Sequence, residues 1–287
     1  MTEAAGAVLG YLRAQAEVIA ARSTDVLADA PDAVHRSRVA TRRSRSALRT
    51  FAPLFKHSRT GRLRSELAWH ADHLGAPRDA EVLKQRLLAA LGDLDPDQVV
   101  GPVRRRLGAA LDATHAQAHA SLVQSMRTSR YAELRTALTG FVSDPPLRRA
   151  GRAVSAAELS DLLGGAADRV RRLDERAVEI SDDVHRWHEV RKAAKAARYC
   201  SEALVPLFDG PAQQLAAAWE AVTEALGELQ DTVVAESCLA TDAVRAREAG
   251  EPADTYLALI AQELRLREES LHAGQVALRV ALELPLP

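Results

Sequence analysis

The chain has 287 residues, with 38 Lys plus Arg against 39 Asp plus Glu and nine His, so its formal net charge of −1 does not mark it as a basic protein. Hydrophobic residues at 47% and charged residues at 27% exclude a disordered chain, and two cysteines, Cys200 and Cys238, exclude a disulfide scaffold and fit a reducing cytosol. The length exceeds one domain of roughly 100 to 200 residues, so one large or two medium domains are expected.

The opening segment MTEAAGAVLGYLRAQ carries Glu3 and no basic stretch ahead of an apolar one, so it does not read as a signal peptide. No apolar run approaches the ~20 residues of a membrane span, and the expectation is a cytoplasmic protein with no membrane contact. Ala, Leu, Arg, Glu and Gln dominate, aromatics are 4%, and period-two alternation is missing, which predicts an all-α chain. Pro and Gly predict breaks at Ala30-Pro31, Ala52-Pro53, Gly75-Ala76-Pro77, Gly92 to Pro96, Ser143 to Pro146, Val205-Pro206, Gly210-Pro211 and Gly250 to Pro252. Helices of about 12 to 30 residues fall between them. Ser143-Asp144-Pro145-Pro146 is the best candidate linker, dividing the chain into residues 1–143 and 152–287, each a bundle of about four or more helices.

In the first half, His35, Arg38, Arg42, Arg45 and Arg49 recur at steps of three and four, which places them within an arc of about 80° on one helix. Ala33, Ala40, Ser44, Ala47, Leu48 and Phe51 take the opposite side, so the helix is amphipathic with cations on the face away from the core. The second half repeats this at an offset of about 153: His188, Arg191, Lys195 and Arg198 align, with Ala193, Ala194, Ala197, Cys200 and Leu204 opposite. Leu74-Gly75 followed by Asp79 is likewise answered by Leu226-Gly227 followed by Asp231. Two matches in the same order predict a duplication.

A line of cations is usually a solvated face. Here the neighbourhood argues otherwise, because residues 33 to 65 hold ten Arg or Lys and no acid. Like charges at this spacing repel by a few tenths of a kcal/mol per pair, and burial raises the cost of each unpaired cation by several kcal/mol. Compensation must come from the acid-rich segment 201–287, with fifteen Asp or Glu against five Arg, or from an external anion. Planar guanidiniums repeated along one line suit phosphate oxygens. Arg38 to Arg49 span about 16 Å, more than one phosphate needs, and the scarcity of aromatics leaves little for bases to stack on. A phosphate polymer therefore ranks above nucleic acid.

Val34-His35-Arg36-Ser37-Arg38-Val39-Ala40-Thr41-Arg42-Arg43-Ser44-Arg45 resembles the signature of the CHAD family, an α-helical domain named for its histidines. Leu74-Gly75-Ala76-Pro77-Arg78-Asp79 resembles its second motif. His188 to Tyr199 and Leu226-Gly227-Glu228-Leu229-Gln230-Asp231 resemble the counterparts in the other half, so the resemblance covers nearly the whole chain. It implies two pseudo-symmetric bundles around a basic central channel and a non-catalytic role in binding inorganic polyphosphate. The implied contacts are His35, Arg38, Arg42, Arg45, His188, Arg191, Lys195 and Arg198; Arg49 follows from periodicity alone. Ala196 stands where the first half has Arg43, and Gln230 where it has Arg78, which predicts weaker binding by the second half. Family members also occur fused to triphosphate-processing domains; this chain has no room for one, so an enzymatic partner is expected on a separate chain.

Other constellations are weaker. The pairs His70/His73, His115/His119 and His185/His188 lack the rest of a metal-ligand set, and neither a metal nor a cofactor is predicted. Asp79 and Asp231 read best as acids at helix starts, or else as groups that orient the channel arginines. Trp69, Trp187 and Trp219 read as core. Arg104, Arg105 and Arg106 open a helix after Pro102 and read as exposed. No phosphate loop or nucleophile arrangement supports an enzyme. The rivals are a helical phosphohydrolase using the same arginines, and a basic module docking nucleic acid or an acidic protein.

Overall fold

A computed structural model describes residues 1–179 and 183–287. Among these residues there are eleven α-helices and no strand. They are α1 (Glu3–Ala21), α2 (Ser23–Leu27), α3 (Ala33–Thr50), α4 (His57–Gly92), α5 (Val103–Met126), α6 (Ser129–Ser143), α7 (Arg149–Arg152), α8 (Ala156–Val178), α9 (Val184–Phe208), α10 (Gly210–Glu248) and α11 (Asp254–Glu283). The all-α expectation holds.

Capping chemistry sets several starts. The Thr2 side chain accepts the Ala5 N–H at the head of α1, and Ser155 with Glu158 forms a reciprocal capping box at the head of α8. Asp29 and Asp32 turn the chain between α2 and α3 at φ values of 51° and 62°, a left-handed conformation that Asp tolerates better than most residues.

Two predicted breaks are overturned. α4 runs for 36 residues straight through Gly75-Ala76-Pro77, and α9 continues past Pro206 to Phe208. A proline removes one backbone donor from the helix and crowds the preceding turn, at a cost of ~3 kcal/mol. At residue 77 burial offsets that cost, for Leu74, Gly75 and Pro77 are all in the interior. Pro206 lies in the last turn, where little helix remains to be disturbed. The breaks near Pro31, Pro53, Pro96, Pro146, Pro211 and Pro252 fall between helices, as read from the sequence.

Neighbouring helices pack in chain order, α1 on α3, α3 on α4 and α4 on α5, then α8 on α9, α9 on α10 and α10 on α11. The two series meet where α1 and α3 both pack on α9. The main hydrophobic core runs from Ala4 to Ala281 and takes Leu48, Phe51 and Leu67 together with Trp187, Leu204 and Trp219. A smaller core joins Leu87 and Leu107 to Leu239 and Leu259. The mid-chain segment is docked: Lys56 donates to Pro146 O, Arg148 donates to Leu54 O, and a Cβ at Gly151 would stand 2.1 Å from Leu54 O.

Candidate phosphate-binding site

The contact of α3 with α9 follows from their apolar sides. Ala33, Ala40, Ala47, Leu48 and the residue after the helix, Phe51, are buried on one, and Ala193, Ala194, Ala197, Cys200 and Leu204 on the other. Each of these small-residue faces seats its helix close to its neighbours. The cations then occupy the remaining arc, and the two stripes are turned toward a shared space rather than away from the protein.

Two cavities open there. One, of about 550 Å³, is lined by Arg42, Arg45 and Arg49 of α3, Arg64 of α4, and Lys192, Lys195 and Tyr199 of α9. The other, of about 370 Å³, is lined by Arg42, by Arg191, Lys195, Arg198 and Tyr199 of α9, and by Thr223, Glu224, Gly227, Glu228 and Asp231 of α10, with Glu228 taken by Arg86 of α4. Arg42, Lys195 and Tyr199 belong to both. The Tyr199 hydroxyl accepts a 2.8 Å hydrogen bond from Arg42 Nε, and the Arg42, Arg43 and Arg198 guanidiniums lie 5.6 to 5.9 Å from its ring centre. A larger cavity of about 940 Å³ between α4 and α6 is a poorer candidate. There Arg62 is paired with Glu133, and Glu66 is taken by Arg130.

The predicted residues separate into paired and unpaired groups. Arg198 is neutralised, by Glu202 and Glu220, and Arg43 is paired with Glu202 at 3.0 Å. Arg38 bonds Asp79 at 2.9 Å, and Arg78 bonds Glu81 at 2.8 Å. Among the described residues no carboxylate lies within 4.0 Å of a charged atom of Arg42, Arg45, Arg49, Arg191 or Lys195. The acidic C-terminal segment therefore neutralises one edge of the cation field and leaves its centre unbalanced.

The electrostatics record that imbalance. Burial, then the positive charges of Arg191, Arg42 and Arg38, push the Lys195 amine down to about 6, with Asp231 opposing. Arg191 is lowered mainly by burial, and Asp231 is raised by burial despite the cations beside it. His35 is held down by burial and by Arg78, Arg42 and Arg38; His188 by burial and by Lys192, Arg191 and Lys195. Arg49, exposed at the outer end, is lowered by burial of its stem and by Arg169, Arg64 and Arg45. Lys195, Arg191, Arg49, His35 and His188 are thus harder to keep charged, first through burial and then through neighbouring cations.

Asp79 and Asp231 do not sit at helix starts. They lie inside α4 and α10, because α4 does not break at Pro77 and α10 starts far upstream at Gly210. Asp79 holds Arg38 directly, and Asp231 faces Arg191 and Lys195, the alternative reading of these acids. Trp187 and Trp219 are core, but Trp69 is only partly buried and carries the Arg130 guanidinium 4.5 Å from its ring centre. Arg104 and Arg105 are exposed at the start of α5, and Arg106 is tied to Glu251. His115 and His119 fasten α5 to the α2–α3 turn through Asp29 and the Val26 carbonyl. Among the described residues no group of three or more His, Cys, Asp or Glu is placed to hold a metal ion.

Sequence reasoning missed Arg64, Lys192, Tyr199 and Gly227 as members of this site. Arg64 lies in the acid-free window 33–65, and Gly227 in the repeated Leu-Gly pair, which were the available signals; the packing of Gly227 against Arg191 is visible only in three dimensions. No helix of the described structure is long and apolar enough to cross a membrane.

The sequence profile of the CHAD domain matches residues 10–240. This chain belongs to the CHAD domain family. It is similar to an uncharacterized protein of Mycobacterium tuberculosis strain H37Rv, Rv2226, at 35% identity over 264 residues, which is 88% of this chain and 49% of the relative. An uncharacterized protein of strain CDC 1551, MT2285, matches to the same extent, so the chain spans about half the length of the curated relatives it matches. Among solved structures, this CHAD domain resembles PptA from Streptomyces chartreusis, with a TM-score of 0.79 and 25% identity over 97% of this chain and 100% of that one. The CHAD domain of the plant Ricinus communis superposes with a TM-score of 0.72 over 96% of this chain and 91% of that one; at 23% identity this likeness concerns the fold.

Proposed function

We propose that this CHAD domain binds inorganic polyphosphate along the cation-lined space between α3 and α9, as a cytoplasmic, non-catalytic receptor or targeting module. The observation that carries this reading is the cluster of Arg42, Arg191 and Lys195, of which Arg42 and Lys195 line both cavities and Arg191 one, with no carboxylate within ion-pair distance of any of the three among the described residues. Such a cluster is costly while empty of counter-charge and is relieved by an anion.

The length of the cation line favours a polymer over a single phosphate. Along α3 the arginines extend about 16 Å, and Arg64 and Lys192 widen the outer end. Each charge-assisted hydrogen bond from a guanidinium to a phosphoryl oxygen contributes ~1.5–3 kcal/mol before the ligand's desolvation is counted. In this reading the contacts are His35, Arg38, Arg42, Arg45, Arg49, His188, Arg191 and Lys195. Arg198, held by two acids, and Arg43, whose acid is the half-buried Glu202, serve as braces, whereas the single partner of Arg38, Asp79, is exposed and leaves that guanidinium able to turn to the ligand.

The same order of packing in the two halves, a histidine helix followed by a very long helix with Leu-Gly and Asp, supports an origin by duplication of residues 1–143 and 152–287.

The test replaces Arg38, Arg42, Arg191 and Lys195 together by Ala. Retention of long-chain polyphosphate should be lost while far-ultraviolet circular dichroism stays unchanged, and retention equal to the parent chain overturns the proposal. Affinity should also fall steeply with added salt, by analogy with counterion release from other polyanions.

A further inference from the structure

Only four of the 38 basic side chains are lysines, and they stand in different surroundings. Lys84 is paired with Asp112 and Lys192 with Glu189, while Lys56 is exposed. Lys195 has no carboxylate within 4.0 Å among the described residues, and it lines both cavities of the cation field. Arg38 and Arg42 face it from α3, Arg191 from its own helix and Asp231 from α10; Arg64 of α4 and Lys192 line the 550 Å³ cavity with it, and Arg198, Glu224 and Glu228 the 370 Å³ one.

We propose that Lys195 is a site of covalent acylation by small acyl phosphates, with the surrounding guanidiniums recognising the phosphate and the amine taking the acyl group. Two features of the geometry converge on this chemistry. The lysine lines cavities that admit a small molecule, and the Arg42, Arg45 and Arg191 guanidiniums that line them with it, none paired with an acid within 4.0 Å among the described residues, are groups that bind a phosphate dianion. A lysine desolvated beside other cations is also an activated nucleophile. The position of its titration near 6 leaves it mostly uncharged at neutral pH.

In the reaction the nitrogen lone pair attacks the carbonyl carbon of the acyl phosphate. A C–N bond forms, the C–O bond to phosphorus breaks, and orthophosphate departs with the electron pair, its charge held by Arg42 and Arg191. The nitrogen then loses one proton to solvent or to the leaving phosphate, so the product is a neutral amide. No oxidant, reductant or further co-reactant is needed. Acylation would leave a permanently uncharged, bulkier side chain at the junction of the two cavities. The consequence for polymer retention rests on the function proposed above, whereas the acylation itself does not.

The experiment uses the full chain and acetyl phosphate at pH 7.5. Digestion with a protease that does not cut at Lys or Arg is followed by mass spectrometric measurement of acetylation at all four lysines. The neutral fraction of an amine titrating near 6 exceeds that of an ordinary lysine several hundredfold, while its nucleophilicity falls by ~0.4–0.5 log units per pKa unit, so Lys195 should react about tenfold faster than Lys56. Inorganic tripolyphosphate should slow Lys195 and leave Lys56 untouched. N-acetoxysuccinimide, which carries no phosphate, should favour Lys195 less strongly. Acetylation of Lys195 no faster than of Lys56, no protection by tripolyphosphate, or equal preference from the two reagents would each overturn the proposal. Selective acetylation in a chain that fails to retain polyphosphate supports this site and counts against the function above; retention without selective acetylation does the reverse.

Discussion

The Arg191 guanidinium lies against Gly227 of α10: a Cβ at that glycine would stand 2.7 Å from Arg191 Nη2, 3.3 Å from Cζ and 3.4 Å from Nε. Glycine inside a helix costs ~1 kcal/mol relative to alanine, and Gly227 sits well inside a helix of 39 residues. What it provides is space. Arg191 crosses to α10, where its Nε reaches the Thr223 carbonyl at 3.4 Å, and is held at the edge of the 370 Å³ cavity.

Gly227→Ala should therefore separate stability from binding. The arginine tip can swing aside, so the fold should keep its stability or gain up to ~1 kcal/mol from the better helix former. Polyphosphate affinity should fall, because Arg191 is displaced from the cavity wall. Gly75→Ala at the matching position is the control: its Cβ would meet only Asp79 Oδ2, at an ordinary 3.8 Å, and binding should be unaltered. Thermal melts and a binding titration on both variants give the answer, and equal affinity for Gly227→Ala and the parent chain refutes the role assigned to this contact.

Glu220 and Glu202 hold Arg198 in place, and that neutralisation has a measurable counterpart. Glu220 is the more exposed partner, with 45% of its side chain accessible, so its removal should be tolerated by the fold. Glu220→Gln should leave Arg198 with Glu202 alone, a carboxylate it shares with Arg43, so the cation field gains one net positive charge beside the 370 Å³ cavity and polyphosphate affinity should rise severalfold at low salt. Arg198→Ala should weaken binding less than Arg42→Ala. Affinities measured at matched salt decide the matter; an Arg198→Ala loss as large as that of Arg42→Ala would show that Arg198 contacts the ligand despite its acids.

The helical class, the apolar sides of α3 and α9, and the line of cations were legible in the sequence because each depends on spacing along one helix. The helix boundaries at Pro77 and Pro206 were not. Proline's local cost is readable from sequence, but the burial of Leu74, Gly75 and Pro77 that offsets it belongs to the packed fold. That single error carried Asp79 with it, since an acid four residues beyond a break reads as a helix start. The identity of the neutralised cation was hidden for the same reason. Glu220 is 22 residues from Arg198, and only the packing of α10 on α9 brings them together. Gly227 is the limiting case, a small residue whose importance lies in the side chain resting on it.

Polymer binding should be accompanied by proton uptake. His35, His188 and Lys195 are all held below their ordinary values by burial and by neighbouring cations, Lys195 at about 6, so near neutral pH they are largely uncharged. A polyanion reverses the local potential and raises all three. Affinity should consequently rise as pH falls from 8 to 6, and calorimetry in two buffers of different ionisation enthalpy should show net uptake at pH 7. Lys195→Arg, which is charged throughout, should remove the largest share. Without ligand the sign is opposite: the unfolded chain binds more protons than the folded one between about 6 and the ordinary lysine range, so this group makes the free protein more stable as pH rises across that window. Heats independent of buffer would rule out the linkage.

His70 offers a stability test separate from the cation field. It is fully buried in α4, neither ring nitrogen has a hydrogen-bond partner, and its ring packs 5.1 Å from that of Tyr131. Burial, with a smaller push from His73, lowers its titration to about 4. The folded state thus favours the neutral ring. Its contribution is fully present above about 6.5, where the unfolded histidine is also neutral, and is lost as pH falls toward 4 because only the unfolded chain takes the proton. That difference amounts to about 3 kcal/mol by pH 4. His70→Leu removes the titrating group while keeping the site apolar, so the stability gap between variant and parent should move in the variant's favour by about this amount between pH 7 and pH 4. Urea unfolding of both chains at the two pH values measures it, and a gap that stays constant would mean that the folded protein accommodates a charged His70 through a rearrangement of its surroundings.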